Sequence, residues 1–149
     1  DLDIKGVLEF PEGQIYDLKF SRDGALVLAA GGMNGDRGYV VIWDVESGER
    51  LQTIKHGFDV VMAADLSADK QYVALGSSDK LVHIYKLNTA ELVESFKTHS
   101  AWISAMSFSP QGLLLASGDQ NGQVIVWDLK EMDKIYNFYK HKDDFYLSP

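Results

Sequence analysis

The sequence predicts an all-β chain made of three copies of one four-stranded antiparallel unit, and three observations carry that reading. Landmarks recur at a fixed period: Trp43-Asp44, Tyr85-Lys86 and Trp127-Asp128 stand 42 residues apart, and His56, His99 and His141 stand 43 and 42 apart. Phe20-Ser21, Leu66-Ser67 and Phe108-Ser109 follow at 46 and 42 residues. Self-similarity at such a period marks repeat architectures, in which each repeat is one supersecondary unit. Within each unit the apolar residues follow a period of two, that of a strand, and short apolar runs end in turn-forming residues. The extra length of the first interval lies mainly in the glycine-rich stretch 31–38, with one residue near Gly57.

The elements follow in order. In the first unit, residues 15–20 form a short apolar strand that ends at the turn Ser21-Arg22-Asp23-Gly24. Residues 60–66 and 102–108 repeat it, ending at Ser67-Ala68-Asp69-Lys70 and Ser109-Pro110-Gln111-Gly112. Such clusters of Ser, Asp, Gly and Pro are strong local turn signals. The second strands, 26–30, 72–75 and 113–117, are nearly continuous apolar runs, the pattern of a strand buried on both faces. After a glycine-bearing turn come the third strands, 39–43, 81–85 and 123–127. The fourth strands, 51–54, 92–96 and 134–139, are more polar, as strands at an outer edge are. Residues 130–139 come nearest to an amphipathic helix, but their place in the repeat makes them a strand.

Composition narrows the function. The 149 residues are 46% apolar and 24% charged, the make-up of one ordinary globular domain large enough to bury a core. A net charge of −8 argues against a general binder of nucleic acid or of an anionic membrane, and neither is expected as a partner. The longest apolar runs, such as 25–30, are far too short to span a bilayer, so a soluble protein of the cytoplasm or periplasm is expected. The chain opens Asp1-Leu2-Asp3 with no leader pattern, as a mature or excised segment would. Without cysteine there is no disulfide, no thiolate chemistry and no cysteine metal site.

No Gly-x-Ser-x-Gly, His-Glu-x-x-His or isolated carboxylate pair is present, so no enzymatic activity is expected. The glycine-rich stretch 31–38 joins strand to strand and lacks the Lys-Ser/Thr and the helix of a phosphate loop. Asp119-Gln120-Asn121-Gly122 lacks the downstream glutamate of a calcium loop and reads as a turn. The repeat-spaced histidines fall in different units and His83 stands alone in a third strand, so no metal and no cofactor are expected.

Four strands per unit of about 42 residues, a histidine ahead of the first strand and Trp-Asp closing the third resemble the blades of the WD-repeat (WD40) β-propeller family. The resemblance covers roughly residues 15–141 and is strongest in the third unit, from His99 to Trp127-Asp128. The first unit keeps Trp43-Asp44 but has Pro11-Glu12-Gly13-Gln14 where the family has Gly-His. The second keeps His56 but ends in Tyr85-Lys86. The implied fold is all-β, with three WD40-type propeller blades at about 15–54, 58–96 and 100–139, and with 1–14 and 140–149 as strands of flanking blades.

The family braces its blades with a buried hydrogen-bond chain of Trp, Ser or Thr, His and Asp. Carried over, this implies Trp127, Ser117 and His99 in the third blade, with Asn121 where the Asp usually sits. It implies His56 and Asp79 in the second, where Leu75 and Tyr85 take the other two places, and Trp43 in the first, where Arg37 takes the Asp position. Buried indole and imidazole groups are unfavourable unless paired, so these residues are expected to be structural.

The resemblance also implies a non-catalytic scaffold or protein–protein interaction module. The alternative is an accessory propeller domain of a larger enzymatic or electron-transfer protein. Loops before the first strands and between the second and third would share one face. They hold Gln14, Tyr16, Asp17, Phe58, Asp59, Ala101 and Trp102, with 33–37 and 77–80 beside them. Aromatic residues beside carboxylates suit a protein or peptide carrying Lys or Arg, which makes Tyr16, Asp17, Phe58, Asp59 and Trp102 the candidate partner-binding residues. Phe58 and Trp102 could equally staple adjacent blades. Tyr136, Phe138, Tyr139, Phe145 and Tyr146 make a second aromatic patch, either a packing face or a docking surface.

Three blades do not close a ring, which needs at least four. Residues 7–10 and 145–147 sit where strands of a preceding and a following blade would be. Closure is expected either from the remaining blades of a longer chain or from a homo-oligomer, a dimer giving six blades and a trimer nine.

Overall fold

The computed structural model describes residues 2–112, 114–130, 133–141 and 144–148. Among them run thirteen strands and no helix. The first sheet is β1 (Gln14–Phe20), β2 (Leu26–Met33), β3 (Arg37–Asp44) and β4 (Arg50–His56), hydrogen-bonded in that order. The second is β5 (Val61–Leu66), β6 (Tyr72–Ser77), β7 (Leu81–Lys86) and β8 (Leu92–Lys97). The third is β9 (Ile103–Phe108), β10 (Leu114–Asp119), β11 (Val124–Asp128) and β12 (Asp133–His141), with β13 (Asp144–Ser148) added outside β12. Every pairing is antiparallel.

The turn chemistry is local. The Ser21 hydroxyl donates to Asp23 (2.7 Å) and accepts the Leu26 N–H (2.9 Å); Ser67 does the same with Asp69 (2.6 Å) and Tyr72 (3.0 Å). Ser109 accepts the Leu114 N–H at 3.1 Å. One serine thus ties off each inner hairpin.

The sheets stack through their inner strands, β5 packing on β1 and β2, and β9 on β5 and β6. Between the first two sheets, Leu28, Val40, Ile42 and Ile54 bury against Val61, Val73, Leu75 and Tyr85. Between the second and third, Ala74, Val82 and Ile84 bury against Ile103, Leu115, Ile125 and Trp127, and the Phe96 ring stacks on Trp127 at 4.6 Å. Seams are also locked by backbone donors: Ala64 N–H reaches Asp17 Oδ2 at 3.0 Å and Phe108 N–H reaches Asp65 Oδ2 at 2.7 Å. Tyr85 and Trp127, near the ends of their third strands, therefore face the preceding sheet.

Two expected strands take other forms. Residues 7–10 form no strand. With no partner to complete a ladder, the segment is held by side chains: Phe10 packs on Ala29, Val41 and Trp43. The Arg50 guanidinium holds the Glu12 carboxylate and donates to the Glu9 carbonyl at 3.0 Å. Residues 144–148 form a strand, β13, on the third sheet. They pair with β12, from Asn137↔Ser148 to His141↔Asp144, and so satisfy the backbone groups along its outer edge. The side chains of Tyr136, Phe138, Tyr139, Phe145 and Tyr146 lie outside the described residues. No helix among the described residues is long and apolar enough to cross a membrane.

Candidate interaction groove and its bracing networks

Trp127 packs toward the second sheet, and its indole N–H donates to Ser117 Oγ at 2.8 Å. Ser117 in turn lies 2.6 Å from His99 Nε2, and His99 Nδ1 lies 2.9 Å from Asp119 Oδ2. Donors and acceptors run in one direction: indole N–H to hydroxyl, hydroxyl to Nε2, and Nδ1–H to carboxylate. Burial works against the charge of Asp119, but the His99 bond and the backbone N–H groups of Gln123 and Asn121 outweigh it, and the carboxyl is held below its usual range.

The acid of this chain is Asp119, not Asn121. Asn121 sits in the β10–β11 turn, donating its backbone N–H to Asp119 Oδ1 (3.0 Å) and its side-chain amide to Ser100 Oγ (3.2 Å). The carboxylate comes instead from the last residue of β10, two positions earlier and directed inward.

The second blade differs. His56, at the end of β4, points Nδ1 at the Tyr85 hydroxyl (2.8 Å) and Nε2 at Asp79 Oδ2 (3.4 Å). The tyrosine hydroxyl takes the role that the serine plays in the third blade, and Leu75 packs in the core. His83, on β7, joins the same carboxylate: its Nε2 lies 2.7 Å from Asp79 Oδ2 and its Nδ1 2.8 Å from Ser95 Oγ. Burial opposes the charge of Asp79, but the bonds from His56 and His83 prevail and hold it well below the usual carboxylate range. The Tyr85 phenol is pushed up by burial and by the Asp79 charge.

The first blade has no such chain among the described residues. Trp43 is buried under Phe10, the Arg50 guanidinium lies 5.6 Å from its ring centre, and Arg37 opens β3 exposed to solvent. Its indole nitrogen makes no bond of the kind Trp127 makes, because the positions that would supply a serine and a histidine do not supply them.

The loop face carries a groove of about 420 Å³ that draws on all three sheets. Tyr16 comes from β1, Asn34 and Gly35 from the β2–β3 turn, Asp59 and Val60 from the β4–β5 connection, Met62 from β5 and Trp102 from just before β9. Tyr16 is 42% and Trp102 47% exposed. Asp59 accepts from Val60 N–H (2.9 Å), Gly35 N–H (3.2 Å) and the Ser78 hydroxyl (2.8 Å). Those bonds, the Ser78 one foremost, hold its carboxyl below the usual range and fix its charge at the groove wall.

Asp17 and Phe58 stand outside the lining. Asp17 is taken up internally: both oxygens lie 2.8–2.9 Å from the Lys19 amine, and the carboxylate also accepts Leu18 N–H (2.9 Å) and Ala64 N–H. Phe58 is 84% exposed and staples nothing. A slightly larger groove, about 480 Å³, lies where residues 5–8 cross the first sheet. It follows from that segment's path, with Val7, Leu8, Phe20 and Val27 beside Lys5 and Glu46.

The family model described as WD domain, G-beta repeat matches residues 4–44, 48–86 and 90–128. Each matched segment ends where a third strand ends, at Asp44, Lys86 and Asp128. The second and third segments thus join the outer strand of one sheet to the inner three of the next. The serine-threonine kinase receptor-associated protein of Dictyostelium discoideum is 30% identical over 116 residues, 78% of this chain and 38% of that protein. Its Bos taurus counterpart is 28% identical over 140 residues, 94% of this chain and 35% of that protein. The crystal structure of RRP9 WD40 repeats superposes with a TM-score of 0.79, covering 93% of this chain and 42% of that one at 24% identity, a likeness of fold. The chain thus spans little more than a third of the length of these two relatives.

Proposed function

We infer, starting from the fact that this chain belongs to the WD domain, G-beta repeat family, that it works as a non-catalytic scaffold whose loop face holds a segment of another protein. The observation that carries this reading is the convergence of Tyr16, Asp59 and Trp102, one from each successive blade unit or connection, on one groove. Half-exposed aromatic rings supply hot-spot area at little entropic cost, and a carboxylate at the wall selects a cation. Three acceptor sites of Asp59 are occupied by its own chain, which leaves capacity for a Lys or Arg of the partner. The net charge of −8 favours the same encounter.

The test is binding of a library of Lys- and Arg-bearing peptides, against the same sequences with those residues neutral. Trp102→Ala is expected to weaken the best binder about tenfold or more while leaving the melting temperature near that of the parent protein. Unchanged binding in Trp102→Ala, or equal binding of neutral peptides, overturns the reading. The short span relative to the receptor-associated relatives favours a second reading, an accessory propeller unit of a larger protein whose chemistry lies in other segments.

A further inference from the structure

His83 breaks the pattern of its neighbours. Its counterparts 42 residues either way, Val41 and Ile125, are fully buried aliphatic residues. An imidazole in such a place is unfavourable unless both ring nitrogens find partners. His83 finds them at the seam between the first two blades, where His56 from β4, Asp79 from the β6–β7 turn and His83 from β7 come together. The two imidazole rings lie 4.1 Å apart, centre to centre, tilted by 55°. One ligand atom from each of the three residues lies within 4.8 Å of the others.

We propose that His56, His83 and Asp79 form a binding site for a divalent transition-metal ion of the zinc class. Zinc bonds to imidazole nitrogen and carboxylate oxygen are near 2.0–2.2 Å, so donors around a tetrahedral ion stand roughly 3.3 Å apart. The His56–Asp79 separation is already 3.4 Å, and His83–Asp79, at 2.7 Å, needs only a small opening. Two imidazoles and one carboxylate suit zinc, cobalt, nickel or copper, whereas magnesium and calcium favour an all-oxygen set.

The outer nitrogens are positioned for the same purpose. Tyr85 Oη lies 2.8 Å from His56 Nδ1, and Ser95 Oγ lies 2.8 Å from His83 Nδ1. A metal-bound histidine donates its other ring N–H to an oxygen, and a hydroxyl can accept as well as donate. Without a cation, Tyr85 and Ser95 donate to Nδ1 while Nε2–H faces Asp79. With one, the proton sits on Nδ1, the hydroxyls accept, and Nε2 gives its lone pair to the ion. Asp79, 38% exposed at its side chain, forms the entry and leaves a fourth position to water. Among the described residues the third blade offers no such set, His99 meeting one serine and one carboxylate. The histidines compared by repeat spacing lie in different blades, whereas this set gathers at one seam.

Chelator-treated protein titrated with zinc by calorimetry, and with cobalt by visible spectroscopy, tests the site. One ion per chain is expected, with a rise in melting temperature that grows with zinc concentration. Imidazole NMR signals of His56 and His83 are expected to move on zinc addition while those of His99 stay. His83→Ile, which installs the residue type of the third blade, and Asp79→Asn are each expected to weaken binding about tenfold or more. Absence of saturable binding, or ring signals of His56 and His83 unmoved at saturating zinc, overturns the site. The NMR readout on the unaltered protein decides the matter even where a variant fails to fold.

Discussion

Ser117 is the residue whose loss is felt twice. Its hydroxyl satisfies the Trp127 N–H and His99 Nε2, both buried. Ser117→Ala is expected to cost about 1–3 kcal/mol by orphaning them, and Trp127→Ala about 3–5 kcal/mol by emptying the space beside Phe96; urea unfolding measures both. Protonation acts on the same networks. Asp79, Asp119 and Asp59 carry folded-state values below those of free carboxyls, so their contribution is present above about pH 4 and is lost as pH falls further. Asp65, raised by burial, acts in the opposite sense. Stability is expected to fall between about pH 4 and pH 2, and Asp79→Asn to flatten that fall; a steeper fall in the variant would contradict the assignment. At this scale the repeat spacing points to Trp127, Ser117 and His99, which meet in the third blade, and to His56 and Asp79, which meet at the seam of the first two. Asp119 was not legible in the sequence, since which of two nearby turn-forming residues points inward depends on a register shift between Gly118 and Asp119. His83 gave no signal alone, because its meaning depends on Asp79 folding back four residues.

At the scale of the element, the second blade departs from its neighbours in three turns. Lys70, Lys80 and Ala90 adopt left-handed φ values of 59°, 68° and 58°, where the matching positions are Gly24 and Gly112, Gly122, and Gly48. A left-handed residue with a side chain is disfavoured by roughly 1–2 kcal/mol. Ala90→Gly and Lys80→Gly are each expected to raise stability by about 1 kcal/mol, read by thermal melting. Gly76 makes a complementary case. A Cβ there would stand 2.6 Å from Ile103 Cγ2, while at Gly118, its counterpart, the nearest atom is the Ala105 Cβ at 3.7 Å. Gly76→Ala is therefore expected to destabilise by about 1–3 kcal/mol, and Gly118→Ala to be tolerated. Equal effects would mean that the second and third blades are not in that contact. Strand order was legible throughout because the period of two and the serine turns are local features. What the strands at the ends would pair with was not, because it depends on which edge is free: β13 took the edge of β12, and residues 7–10 took a face.

For the whole molecule, stacking three sheets leaves the inner strand of the first with an open flank. Ile15, Leu18 and Phe20 are all exposed there, as are Leu114 and Val124 on the third sheet. Surfaces of this kind are covered in a working protein. Light scattering over a concentration series is expected to give a mass above one chain, and a discrete dimer or trimer would mean that copies complete the ring. A clean monomer would mean that further blades of a longer chain do so. Phe10 adds a consequence in the order of synthesis. The chain is made from its N-terminal side, and early segments fold while later ones are still being added. Phe10 leaves the ribosome before Val41 and Trp43, so this apolar sheet face meets its cover already waiting, about fifty residues ahead of the partner sheet on its other side.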